Sequence, residues 1–140
     1  MILLDTSVLS VAFRRRSTAS AEPGPARTLR RMIEADVPLA IPGIVLQELL
    51  GGVPTEAQFS RLEALMRAFP LLVAERRHHV SAARIANACR RVGITASTVD
   101  CLIASLSIDT GAALFTLDAD FSRMAPHCGL RIFRAVEDGG

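Results

Sequence analysis

The chain has 140 residues, half of them hydrophobic, and a formal net charge of +2. That is the size and apolar content of one compact domain, and the charge alone identifies no nucleic-acid partner. No apolar run approaches the roughly 18–20 residues of a membrane span, and Met1 leads into a strand-like run rather than a signal core, so a cytoplasmic protein without a membrane partner is expected.

Ile2-Leu3-Leu4 is an apolar run too short for a helix, and it ends at Asp5; it reads as a first strand with an acid at its carboxyl end. Thr6 or Ser7 can cap a short helix from Val8 to Arg15, with arginines in its last turn. Ser17 to Pro25, rich in small residues and proline, predicts a loop before a helix from about Ala26 to Ala35. A strand at Leu39 to Ile41 is broken by Pro42-Gly43, and Ile44 to Leu50 reads as a brief helix closed by Gly51-Gly52. Thr55 can cap a helix to about Ala68, and Leu71 to Val73 is a third strand. Alanine-rich helix from about Val80 stops at Gly93, and an apolar helix from about Val99 to Asp109 stops at Gly111. Ala113 to Thr116 is a fourth strand, 117–121 a turn into a short helix, Pro126 to Gly129 a loop, and Leu130 to Phe133 a last strand. Strands alternating with helices predict an α/β fold, three layers (α/β/α) around a mostly parallel sheet. One domain over residues 1–135 and a short tail at 136–140 account for the chain.

The cysteines, Cys89, Cys101 and Cys128, share no CxxC spacing and read as small buried thiols rather than a zinc site or disulfide framework. All 16 basic residues are arginine, which excludes a lysine nucleophile or Schiff base. The clusters Arg14-Arg15-Arg16, Arg30-Arg31, Arg76-Arg77 and Arg90-Arg91 read as solvated faces or as contacts to a polyanion. His78, His79 and His127 lack a ligand-like spacing and are expected at the surface.

The acids are more telling. Asp5 and Asp118 follow apolar strands, Glu48 is embedded in Ile44 to Leu50, and Asp100 stands among Val99, Cys101, Leu102 and Ile103. Helix capping explains some of them singly: Asp5 and Asp118 can be N-caps, and Ser97-Thr98-Val99-Asp100 fits a capping box. Glu48 resists that account, because an unpaired carboxylate in an apolar helix costs several kcal/mol or stays protonated unless an arginine meets it. The alternative is convergence. In a parallel sheet all four acids belong at the carboxyl edge, where they would repel one another unless a cation neutralised them. An all-oxygen set points to Mg²⁺ or Mn²⁺, ions that can activate water in phosphodiester hydrolysis.

The ordered segments Leu4-Asp5-Thr6-Ser7-Val8-Leu9, Gln47-Glu48-Leu49-Leu50-Gly51-Gly52, Asp100-Cys101-Leu102-Ile103-Ala104-Ser105 and Thr116-Leu117-Asp118-Ala119-Asp120-Phe121 resemble the successive motifs of the PIN-domain family. More narrowly, they resemble VapC-type ribonuclease toxins of bacterial toxin–antitoxin pairs. The resemblance implies a PIN-like fold in which Asp5, Glu48, Asp100 and Asp118 are catalytic, metal-binding acids. Thr6 or Ser7 and Thr116 would be supporting hydroxyls, and Asp120 ranks behind Asp118. It further implies a Mg²⁺-dependent endoribonuclease, with Mn²⁺ a possible substitute, acting on RNA such as tRNA or rRNA to restrain translation. A VapB-type antitoxin and a homodimer are the implied partners. Two alternatives compete: a haloacid-dehalogenase-like phosphatase, whose first strand ends in D-x-D where this chain has Asp5-Thr6-Ser7, and a catalytically silent PIN-like module that binds RNA or protein.

Overall fold

Four short parallel strands bring their carboxyl ends, and with them Asp5 and Asp118, to one edge. The computed structural model describes residues 1–14 and 24–135. In it β1 (Ile2–Leu4), β2 (Leu39–Pro42), β3 (Leu71–Leu72) and β4 (Ala113–Phe115) form a sheet in the order β3-β2-β1-β4. Leu3 pairs with Ala40 of β2 on one side and Leu114 of β4 on the other, so β1 joins two strands far apart in sequence. Each strand pairing is parallel, and all four strands therefore point their carboxyl ends the same way. Leu3, Leu4, Ile41 and Leu114 are completely buried, which is why these strands read as continuous apolar runs and not as alternating patterns.

Two groups of helices cover the sheet. The first is α1 (Thr6–Leu9) with its π-helical continuation Ser10–Arg14, α2 (Gly24–Glu34), α3 (Gly43–Leu50) and α4 (Glu56–Met66). The second is α5 (Arg76–Arg91), α6 (Thr98–Thr110) and α7 (Ala119–Cys128), with α5 packed on both others. The result is the expected three-layer α/β/α arrangement. Among the described residues no helix is long and apolar enough to cross a membrane.

The departures from sequence expectation are local. The first helix begins at Thr6 and not Val8, with Asp5 rather than Thr6 or Ser7 in the N-cap position; the expected end at Arg15 lies outside the described residues. Most of the loop expected at 17–25 also lies outside them, but Pro25 belongs to the first turn of α2, where its missing N–H has no helical partner to lose. α5 starts at Arg76, ahead of the expected Val80, because Glu75 and His78 close its first turn. α7 runs through Pro126 to Cys128: Phe121 and Met124 are buried and hold it, and proline there forfeits a single hydrogen bond. The last strand reduces to one parallel bridge, Leu114 with Ile132. The expected tail at 136–140 lies outside the described residues.

Cys89 and Cys101 are buried as expected, whereas Cys128 is half-buried. His78 overturns the expectation for the histidines. It is 3% exposed, its Nδ1 accepts the Glu75 N–H at 2.8 Å, and its Nε2 lies 2.8 Å from Asp109 Oδ2. Since Nδ1 is engaged as an acceptor, Nε2 is the nitrogen that donates to Asp109. Ser105 Oγ donates to the His78 carbonyl at 2.9 Å, so the same residue ties α5 to α6 through side chain and backbone.

That hydrogen bond from His78, helped by the charge of Arg77 and opposed by partial desolvation, holds the Asp109 carboxyl below its ordinary value. A depressed folded-state pKa contributes stability above the unfolded value, about 3.9, that is lost as pH falls through the folded value. Asp109→Asn is expected to lower Tm at neutral pH and to converge with wild type in strong acid, as thermal unfolding at a series of pH values will report. Leu114→Ala, in the completely buried centre of β4, is expected to cost about 2–5 kcal/mol in urea denaturation at every pH.

Candidate active site

Asp5 leaves β1 in extended conformation (φ −86°, ψ 158°) and is 5% exposed, yet its side chain makes no capping bond to α1. Its Oδ2 instead accepts two hydroxyls, Ser7 Oγ at 2.8 Å and Thr116 Oγ1 at 2.8 Å. Each hydroxyl oxygen in turn accepts a backbone N–H from the chain leaving β4: Leu117 N–H to Ser7 at 2.9 Å and Asp118 N–H to Thr116 at 3.0 Å. The adjacent strands β1 and β4 are therefore tied together at their exits by one carboxylate oxygen and two hydroxyls. Ser7 and Thr116, read from sequence as candidate supporting hydroxyls, both meet Asp5. Thr6, the other candidate, meets Glu48: its Oγ1 donates to Glu48 Oε1 at 3.2 Å.

Glu48 differs from its sequence reading. Val45 and Leu49 bury the apolar side of α3, while Gln47 and Glu48 are exposed. The side chain meets Thr6, and the desolvation penalty expected for an embedded carboxylate does not arise.

Asp100 and Asp118 both retain capping geometry. Ser97 Oγ accepts the Asp100 N–H at 3.0 Å and closes the first turn of α6; Asp118 Oδ1 accepts the Asp120 N–H at 2.9 Å and caps α7. Capping and convergence are compatible, because a helix starting at the sheet edge puts its first-turn acid there. Half-buried Asp100 has its carboxyl pushed up, first by desolvation and then by the negative charges of Asp118, Asp5 and Glu48, against the lowering effect of Ser97. Acids from three other segments thus act on Asp100 at the carboxyl edge of the sheet.

The tightest group shares Asp100 and Asp118 with the four acids singled out by sequence, lacks Asp5 and Glu48, and adds Asp120. Asp100, Asp118 and Asp120 can each place one ligand atom within 4.8 Å of the others. Asp120, ranked behind Asp118 on sequence, stands beside it here and also carries a partner that sequence reading missed: the Arg123 guanidinium meets its carboxylate. The three-residue spacing on a helix was the available signal for that ion pair. Of the arginine clusters, Arg77 pairs with Glu75 and Asp109, and Arg90 donates to Asn87.

Comparison with known proteins points to one family. The family model of the PIN domain matches residues 2–126. Ribonuclease VapC11 of Mycobacterium tuberculosis (strain ATCC 25618 / H37Rv) is 34% identical over 127 residues, covering 89% of this chain and 92% of the relative. Among solved structures, FitAcB from Neisseria gonorrhoeae superposes with a TM-score of 0.76 at 19% identity, covering 96% of this chain and 97% of that one. VapBC2 from Rickettsia felis, bound to a DNA fragment from its promoter, has a TM-score of 0.76 at 21% identity, covering 97% of this chain and 100% of that one.

Thr116 is the side chain on which the arrangement can be tested without touching an acid. Thr116→Val removes a donor to Asp5 and the acceptor of the Asp118 N–H, and is expected to destabilise the fold by about 1–3 kcal/mol in urea denaturation. Thr116→Ser, which keeps the hydroxyl, is expected to recover most of that.

Proposed function

Since the chain belongs to the PIN-domain family, and within it to the VapC-type ribonucleases, we propose that it is a divalent-metal-dependent endoribonuclease whose Asp5, Glu48, Asp100 and Asp118 hold the ion. The observation that carries the reading is the gathering of acids from four segments around half-buried Asp100, whose carboxyl is pushed up first by desolvation and then by their charges. Such a group is stable as a set of carboxylates when a cation offsets its repulsion. Oxygen donors without histidine or cysteine suit Mg²⁺, with Mn²⁺ as substitute, and of the four acids Asp100 and Asp118 can place ligand atoms within 4.8 Å of each other, with Asp120 beside them. The chemistry supplied by a bound ion is Lewis-acid polarisation of the scissile phosphate and stabilisation of the charge that develops on it.

The chain's own residues prepare that site. Ser7 and Thr116 fix the Asp5 carboxylate through Oδ2, and neither of these bonds uses Oδ1. Thr6 restrains exposed Glu48, and the Ser97 cap sets the backbone under Asp100. Asp118 is oriented by capping α7, and Arg123 offsets the charge of Asp120, which lowers repulsion toward a phosphate backbone. This division makes the hydroxyls supports for acids and leaves Asp120 as the acid already balanced within the protein.

The proposed substrate is cellular RNA, with tRNA or rRNA as the class whose cleavage restrains translation and growth. A VapB-type antitoxin is the proposed partner and a homodimer the proposed assembly; the VapC name of the curated relative and the VapBC2 structure support the partner.

Asp100→Asn is the cleanest variant, because the bond from its backbone N–H to Ser97 Oγ survives the change, whereas replacing Asp5 would strand two hydroxyls. Expression of wild type is expected to arrest growth and yield discrete cut sites in total RNA. Asp100→Asn should lose cleavage by more than about 100-fold, since even supporting partners of metal ligands typically cost 10–100-fold. Mn²⁺ is expected to raise the Tm of wild type and not of the variant. Equal toxicity of the two proteins, or a wild type indifferent to Mn²⁺ in both assays, would sink the assignment.

A further inference from the structure

We propose that the cavity beside Thr116 and Leu117 binds single-stranded RNA next to the cleaved phosphate, with Arg27, Arg31 and Arg134 on phosphates and Phe133 under a base. The inference rests on the nuclease reading above and extends it to a substrate subsite.

The cavity lies between the first turns of α2 and the segments leaving β4 and following α7, and has a volume of about 700 Å³. That falls within the roughly 300–1,000 Å³ of pockets that take small organic ligands, and one nucleotide is such a ligand. Among the described residues its walls contain three arginines and no acid. Arg27 and Arg31 stand four residues apart on α2 and therefore share one face, while Ala26, Leu29 and Met32 anchor the helix to the core. Arg134 comes from a different part of the chain, and its Nη2 is 3.5 Å from Ser122 Oγ. All three arginines are exposed, as a contact to a polyanion requires.

Charge alone would fit any anion; the aromatic wall narrows the class to a nucleotide. Phe133 is half-buried and packs on Phe115 with ring centroids 5.1 Å apart and planes tilted by 58°, so its orientation is set before a ligand arrives. Exposed Leu117 extends the apolar side. Guanidinium groups beside a positioned aromatic ring suit unpaired RNA, whose bases are free to stack, better than a duplex.

Position supplies the link to chemistry. Thr116 lines the cavity and its Oγ1 donates to Asp5; Leu117 lines it and its N–H donates to Ser7. The basic cavity and the acid group thus share a wall one residue thick. A strand held by the arginines would be led to the carboxylates, which would otherwise repel its backbone.

The test measures binding of a fluorescein-labelled, unstructured RNA oligonucleotide to the Asp100→Asn protein in EDTA by anisotropy across a salt series. Adding Arg27→Gln and Arg134→Gln together is expected to weaken binding at least tenfold. It should also flatten the dependence of log K on log salt by about 1.4, since each phosphate contact to a single strand contributes roughly 0.7. Lysine at both positions should restore most of the slope, and Arg61→Ala, on α4, should change nothing. Phe133→Leu should weaken binding several-fold with the slope unchanged, because stacking carries no charge. In the active protein the Gln pair should raise KM more than it lowers kcat. A folded Gln pair with parental affinity and slope overturns the proposal, and if wild type still cleaves RNA the nuclease reading stands. Arginine-dependent binding by a wild type that cleaves nothing with Mn²⁺ supports the cavity and sinks the nuclease reading instead.

Discussion

One carboxylate oxygen organises the working edge of this protein. Asp5 Oδ2 takes the hydroxyls of Ser7 and Thr116, and those hydroxyls take backbone N–H groups of Leu117 and Asp118. Each hydroxyl therefore uses its proton toward the acid and a lone pair toward the strand exit. The bonds lie across a strand pair whose pairing residues are already buried, so the orientation of Asp5 is inherited from the hydrophobic sheet beneath it. An acid carried on a mobile loop would lack that inheritance. Here the polar arrangement is rigid because apolar packing has already fixed the backbone that carries it.

The same edge accumulates like charge, which opposes folding, and the chain limits that cost by varying burial and partners. Glu48 stays exposed beside a threonine, Asp118 is exposed and caps a helix, Asp120 meets Arg123, and Asp5 is buried among hydroxyl donors. Asp100 is left half-buried, and its carboxyl is pushed up by desolvation and then by the charges of Asp118, Asp5 and Glu48. A cation arriving at that point gains most from the field the protein has built.

Much of this was legible in the sequence, for identifiable reasons. Strands such as Leu39–Pro42 are short, apolar and bounded by turn residues, and their alternation with helices leaves few topologies open. Asp5, Asp100 and Asp118 sit at junctions between strands and helices or in a first helical turn, where sequence position implies spatial position. Legibility failed where the outcome depended on neighbours distant in the chain. Glu48 looked embedded because its neighbours are apolar, but a helix of eight residues turns its flank to solvent. His78 looked like one of a surface pair, yet an acid 31 residues away gives it a partner and lets it be buried. Pro126 looked like a terminator, and buried Phe121 and Met124 overrode it. The arginine runs drew attention by adjacency, whereas only Arg31 among them lines the cavity, joined there by Arg27 through helical spacing and by Arg134 through tertiary approach.

The pairing of β1 with β4 also bears on when the protein can act. Asp5 is made early and lies at the centre of the sheet, but its Thr116 partner and the acids at 118 and 120 come more than a hundred positions later. A nascent chain still lacking β4 has a first strand without its neighbour and a lone carboxylate without its hydroxyl. During synthesis the acid group cannot assemble until that strand has left the ribosome. The strand order of the sheet thus makes the acid group a late product of folding.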